Sequence, residues 1–170
     1  MSVGRRSWQE HSKEGTQWVR ACEYEKAIES YVSALKAFQS VEDGETDHTR
    51  DSAGVRMKLA AVLIELGELD EALAEFRIVH GQLRAAKQLN TMAGAGLLLK
   101  IGIAREAQGK PDQALDAYRS SRDILDKLND ASRNTARVQW RTGAIHAARG
   151  NWAEAAKFLS AAKDIFVRSS

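Results

Sequence analysis

The chain has 170 residues, 44% of them hydrophobic and 28% charged, with 25 Lys and Arg against 23 Asp and Glu. These figures suit a domain able to bury a core and exclude a disordered tail, and a surplus of two positive charges is too small for a general nucleic-acid or membrane binder. No apolar run approaches the roughly 20 residues that span a bilayer, Met1–Arg6 is followed by polar residues rather than the apolar stretch of a secretory signal, and Cys22 is a lone cysteine, so a soluble, cytoplasmic protein is expected.

One proline in 170 residues, with abundant Ala, Leu, Glu, Lys, Gln and Arg, predicts an all-α fold. Residues 1–6 read as a flexible N-terminus. Ser7-x-x-Glu10 has the spacing of a capping box and opens a helix over 7–21. A second helix is expected over 24–40, followed by the acidic, polar loop Val41–His48. The remaining helices are expected at 50–66, 69–89, 92–108, 111–128, 131–149 and 151–168. Pro111 falls in a first turn, where a missing N–H is tolerated. Asn90-Thr91 and Asn129-Asp130 supply short joints able to stop one helix and cap the next.

Four segments align without gaps on Ala27, Ala72, Ala114 and Ala155, at spacings of 45, 42 and 41 residues. Five residues before each anchor stand Cys22, Gly67, Gly109 and Gly150, and three before it Tyr24, Leu69, Pro111 and Trp152, the marks of a helix end followed at once by a helix start. Four residues after the anchor come Tyr31, Phe76, Tyr118 and Leu159, and seven after it Ala34, Val79, Ser121 and Ala162; with the anchor they share one helical face. Twelve residues before it come Gly15, Ala60, Gly102 and Gly143, small enough to let a partner helix approach closely.

This order of small, large and small residues across two helices resembles the tetratricopeptide repeat, and the resemblance runs from about Ser7 to Arg168. It implies a single domain over 7–168, a right-handed α-α superhelical solenoid of four helix-turn-helix units at about 7–40, 50–89, 92–128 and 131–168. The spacings exceed the usual repeat of about 34 residues by roughly one turn per helix. In this the chain is similar to the long-repeat kinesin light chains, the spindle-orientation adaptors rich in Leu-Gly-Asn and bacterial peptide-sensing regulators. The pattern departs at Cys22, where the turn glycine belongs. It departs again nine residues before the anchor, where Trp18 and Leu63 are followed by Arg105 and His146.

In such an array the first helices line a concave surface suited to an extended peptide or a partner's helix, and the second helices form its back. The resemblance implies that the position fourteen residues before the anchor faces this groove, and all four residues there are basic: Lys13, Lys58, Lys100 and Arg141. A row of cations in a concavity focuses potential on an anionic ligand even in a nearly neutral protein. Arg20 and Arg137 are expected on the same face, as are Glu65 and Glu106, whose charges partly neutralise it. Met57, Leu99, Ile103 and Trp140 are expected to form an apolar floor, the alternative being that they only pack helix on helix. The family's asparagine clamp for terminal carboxylates is not expected, because Thr16 and Lys58 stand where the asparagines would.

The expected function is a non-enzymatic scaffold or adaptor that captures an acidic, partly apolar peptide segment of a protein partner. The alternative is a regulatory or chaperone-like module that senses a peptide or holds an unassembled subunit, possibly within a larger protein. Other chemistry finds little footing. His11, His48, His80 and His146 are dispersed and form no metal-ligand pattern, and no cofactor is expected. Cys22 lies beside Glu23 and Glu25, which argues against a nucleophilic thiolate. Gly94-x-Gly96 lacks the third glycine and the preceding strand of a dinucleotide fingerprint and reads as room for close packing. Of Trp8, Trp18, Trp140 and Trp152, three fall at packing or groove positions, so nucleic acid is not an expected partner. The last helix carries a wide apolar surface including Phe158, Ile165 and Phe166. Solenoids close with a polar-faced helix, so this end is expected to continue in a longer protein or to meet a partner or a second copy.

Overall fold

The computed structural model describes residues 7–39, 49–130 and 132–168; the N-terminal six residues and the acidic loop Val41–His48 lie outside them. Among the described residues there are eight helices and no strand. They are α1 (Trp8–Arg20), α2 (Tyr24–Gln39), α3 (Thr49–Leu66), α4 (Leu69–Ala85), α5 (Met92–Ala107), α6 (Pro111–Lys127), α7 (Arg133–Ala148) and α8 (Trp152–Arg168). The chain divides into two compact units, residues 1–82 and 83–170. The first contains α1 to α3 and most of α4; the second contains the last turn of α4 and α5 to α8.

Local chemistry sets the helix ends. Ser7 Oγ accepts from the Glu10 N–H at 3.3 Å, and the Glu10 carboxylate accepts from the Ser7 N–H at 2.7 Å. Two donors without partners in the first turn are thereby satisfied. Pro111 occupies the start of α6 as its spacing implies. The turns inside the helix pairs share one geometry. Cys22, Gly67, Gly109 and Gly150 take left-handed φ values of 59, 80, 70 and 74°. In each case the next residue's N–H donates back to a carbonyl five residues earlier: Trp18, Leu63, Arg105 and His146, all at 2.9 Å. This is the Schellman closure, and it explains the tolerance at Arg105 and His146: the backbone carbonyl there closes the turn whatever the side chain.

One boundary and one cap differ from expectation. Helix α4 ends at Ala85 rather than near 89, because Lys87 adopts a left-handed φ of 56° and Gln88 N–H closes on the Leu83 carbonyl at 2.7 Å. No glycine marks this stop in the sequence. Thr91 precedes α5 without capping it by its side chain; its hydroxyl donates instead to the Gln88 carbonyl at 2.7 Å. The joint after α6 does follow the Asn129-Asp130 signal. Asn129 takes φ 50°, Ser132 Oγ caps α7 through Asn134 N–H at 3.2 Å, and Asp130 braces the cap.

The helix crossings are built on the small and large positions. A Cβ placed on Gly15 would lie 2.7 Å from the Tyr31 ring, and one on Gly143 would lie 2.8 Å from Leu159 Cγ. At Gly102 the approach to Tyr118 is closer still, 2.5 Å to Cδ1 and less to Cε1. Tyr31 and Tyr118 are 2% and 0% exposed, so each ring fills the space its glycine vacates. In the first unit Phe76 and Val79 are also fully buried, and burying a side chain of this size contributes about 1.5–3 kcal/mol. In the second unit Ala95, Leu99, Ala114, Tyr118, Leu125 and Val138 belong to one apolar cluster. Gly94 and Gly96 divide: a Cβ on Gly94 would overlap the Leu89 backbone, whereas Gly96 has nothing within 4 Å, so only Gly94 serves close packing.

Candidate functional site

In the first unit, α1 and α3 form a concavity of about 390 Å³ lined by Trp8, Gln9, Ser12, Lys13, Thr16, Gln17, Arg20 and Lys58. Gly15 admits the Tyr31 ring beneath α1, which delivers the phenol oxygen to within 3.2 Å of Thr16 Oγ1. Thr16 also donates to the Ser12 carbonyl at 2.9 Å. From α3, Lys58 Nζ donates to Ser12 Oγ at 3.3 Å and reaches Thr16 Oγ1 at 3.5 Å. Lys13 and Arg20 are exposed. Among the described residues none of these three cations forms an ion pair. Trp8 is partly engaged, its ring 4.7 Å from Phe38 and tilted by 31°. Met57 on α3 is half-buried.

In the second unit, α5 carries Lys100, Ile103 and Glu106, and α7 carries Arg137, Trp140 and Arg141. Gly102 again admits a tyrosine, and Tyr118 O–H donates to Glu106 Oε2 at 2.8 Å. Arg141 Nη1 donates to the other carboxylate oxygen at 3.3 Å, and its guanidinium lies 5.1 Å from the Trp140 ring centre. Burial, with the Glu106 hydrogen bond and charge, pushes the Tyr118 hydroxyl far up; Arg141 and Arg137 oppose this in part. Burial, and secondarily the Arg137 charge, lowers the Lys100 ammonium below its ordinary range. Three cations therefore share this face with one carboxylate, and that carboxylate is already engaged twice.

The apolar floor is corrected at one position. Leu99 is 2% exposed and belongs to the core cluster with residues of α6 and α7, so it packs helix on helix. Ile103 packs against the same cluster while half-buried, and Trp140 is 47% exposed. At the C-terminal helix Ile165 is likewise corrected: at 8% exposed it belongs to the packed face of α8. Phe158 is half-buried, stacked on His146 at 5.6 Å and 5° and covered by Arg122 at 5.6 Å, which gives His146 a packing role. The apolar surface of α8 is instead carried by Trp152, Phe166 and Val167, at 70, 41 and 67% exposed. The hydroxyls of Tyr31 and Tyr118 were not legible as parts of either face. Their signal is the pairing of each tyrosine with the glycine sixteen residues before it.

Among the described residues no group of three or more His, Cys, Asp or Glu side chains could hold a metal ion, and no helix is long and apolar enough to cross a membrane. A second concavity of about 450 Å³ lies beside Glu106, with Ala144, Ile145 and Ala148 as its apolar side. Arg149, on its rim, pairs with Asp112 at 2.8 Å.

Residues 94–166 match the tetratricopeptide repeat family. No curated protein matches the chain in sequence. Among solved structures it is similar to BtubC (BKLC) from P. vanneervenii, at 19% identity and a TM-score of 0.81 over 95% of this chain and 64% of that one. It is also similar to aspartyl phosphate phosphatase F from Bacillus subtilis, at 13% identity and a TM-score of 0.83 over 95% of this chain and 40% of the other. A Rap protein complexed with competence and sporulation factor shares 17% identity and a TM-score of 0.78 over 95% of this chain and 43% of the other. The chain thus spans less than two thirds of each of these three, and at these identities the likeness is one of fold.

Proposed function

We propose that this chain of tetratricopeptide-like helical hairpins is a non-enzymatic, cytoplasmic interaction module that captures an acidic, partly apolar segment of a partner protein. The observation that carries the reading is the unneutralised charge of the first-helix faces. Lys13, Arg20 and Lys58 line one concavity without a carboxylate among its lining residues, and in the second unit Lys100, Arg137 and Arg141 share a single glutamate. Cations held over a concave surface attract an anionic segment and set its register more than they set its affinity. Met57, Ile103 and Trp140 supply apolar contacts for the side chains between the acidic ones. The Rap structure solved as a complex with competence and sporulation factor is a precedent for a related fold holding a partner.

Affinity capture tests this reading with the wild type beside Lys58→Glu/Lys100→Glu. The double variant is expected to lose the wild-type partners; identical partner sets refute the site. A second reading is favoured by the exposure of Trp152, Phe166 and Val167 on α8. A regulatory or chaperone-like module that holds an apolar surface of an unassembled subunit, or a second copy of itself, would use that helix. Phe166→Glu would then abolish capture, while the charge reversals would matter little.

A further inference from the structure

We infer that the concavity of the first unit takes a phosphoryl monoester, the side chain of a phosphoserine or phosphothreonine in a bound segment. The inference deepens the proposed capture of acidic segments and rests on it for the ligand's being part of a peptide. It starts from the donor inventory of the eight lining residues. They comprise three cations, two hydroxyls, two carboxamides and one indole, with no carboxylate. Lys58 directs two of its N–H bonds to Ser12 Oγ and Thr16 Oγ1, which leaves a third. Ser12 accepts from Lys58 and keeps its own proton to donate. The three N–H bonds of Lys13 and the five of Arg20 have no ion-pair acceptor among the described residues.

Three like charges around one hollow repel each other, and an anion with many acceptor sites relieves that repulsion best. A carboxylate brings one charge and two oxygens. A phosphoryl monoester brings about −1.5 to −2 charges and three acceptor oxygens. The geometry of α1 fits a compact ligand. Lys58 lies over the single turn between Ser12 and Thr16, Lys13 flanks that turn, and Arg20, one turn further on, leans back toward it as helical side chains do. The contrast with the second unit is direct, since Glu106 already neutralises Arg141 there. A nucleic-acid strand fits less well: each phosphodiester of its backbone carries a single charge, and the one lining aromatic, Trp8, already packs on Phe38.

The test titrates the full chain, followed by amide-detected NMR, with N-acetyl-phosphoserine N-methylamide, N-acetylglutamate N-methylamide and inorganic phosphate. The phosphoserine derivative is expected to shift the resonances of Ser12, Lys13, Thr16, Arg20 and Lys58 and to bind at least about tenfold more tightly than the glutamate derivative near neutral pH. Its affinity is expected to fall toward about pH 5, as the second phosphate proton, with pKa about 6, returns. Lys58→Ala removes the binding, and Lys163→Ala on α8 leaves it intact. Equal affinity for the two derivatives, undiminished binding at low pH, indifference to Lys58→Ala, or inorganic phosphate binding as tightly as the phosphoserine derivative each overturns the inference. Lys58 is exposed, and unchanged resonances of the first unit away from the concavity, such as those of the buried Phe76 and Val79, verify that the variant is folded. Because the probes are single amino-acid derivatives, their failure leaves capture of a longer acidic segment standing, and failure of that capture leaves this result standing.

Discussion

Replacing Gly102 by alanine puts a methyl group into the ring of Tyr118. The added carbon would lie 2.5 Å from Cδ1 and 2.9 Å from Cζ, and the ring has nowhere to go: Tyr118 is 0% exposed and its hydroxyl is held on Glu106 at 2.8 Å. Overpacking a tight core costs about 1–3 kcal/mol, and a ring pinned at both ends belongs at the upper end. Alanine's better helix propensity offsets about 1 kcal/mol of that, leaving a net loss of about 2 kcal/mol. Gly96 lies on the same helix with nothing within 4 Å of a Cβ, so Gly96→Ala gains about 0.5–1 kcal/mol. The same chemical change six residues apart therefore has opposite signs. Thermal unfolding followed by circular dichroism should place Gly102→Ala about 4–8 °C below the wild type and Gly96→Ala slightly above it. If both variants melt together, or if Gly102→Ala is the more stable, the crossing between α5 and α6 is not held by this contact.

Three further outcomes are expected. Cys22→Gly relieves the only left-handed non-glycine residue among the four turns inside the helix pairs and raises stability by about 0.5–1 kcal/mol, read from the same melting experiment. Asp130 braces the start of α7. Partial burial alone would raise its carboxyl, but hydrogen bonds from Ser132 Oγ, Thr135 Oγ1 and Ser132 N–H outweigh that and hold it below its ordinary 3.8. Because the folded value lies below the unfolded one, this stabilisation is present above about pH 4 and is lost as the pH falls through the lowered folded value; Asp130→Asn should flatten the acid limb of a stability–pH curve. Glu106→Gln frees Arg141 of its counter-charge while keeping an oxygen acceptor for Tyr118. Calorimetric titration with an acidic model peptide should show binding tighter by about threefold to tenfold, and a weaker affinity would mean that Glu106 acts by positioning Arg141.

Both units show how far local pattern carries. The Ser7 capping box, Pro111 at a helix start and the glycines that end helices were legible because each depends on backbone groups within one turn. The same holds for the pairing of small and large residues, whose spacing follows from helix geometry. Where local marks are missing the reading slips, as at α4, which stops on Lys87 rather than on a glycine. The basic residues fourteen before each anchor were visible too, as was the neutralising potential of Glu106.

Their consequences were not visible, because they depend on neighbours brought in by helix crossings. Whether a cation on α3 or α7 is free is decided by a side chain on another helix. Lys58 meets only the hydroxyls of Ser12 and Thr16, whereas Arg141 meets the carboxylate that Tyr118 also holds. Successive helix positions lie about 100° apart, and no sequence pattern fixes which part of that arc a neighbouring helix covers, so Leu99 and Ile165 were assigned to surfaces from which packing withdraws them. By itself the sequence determined the helices, their pairing and the placement of basic residues, since these obey short-range hydrogen bonding and periodicity. Only the tertiary structure decided which charges are spent on internal partners and which remain for a ligand, because Coulomb and hydrogen-bond energies depend on distances between residues far apart in the chain.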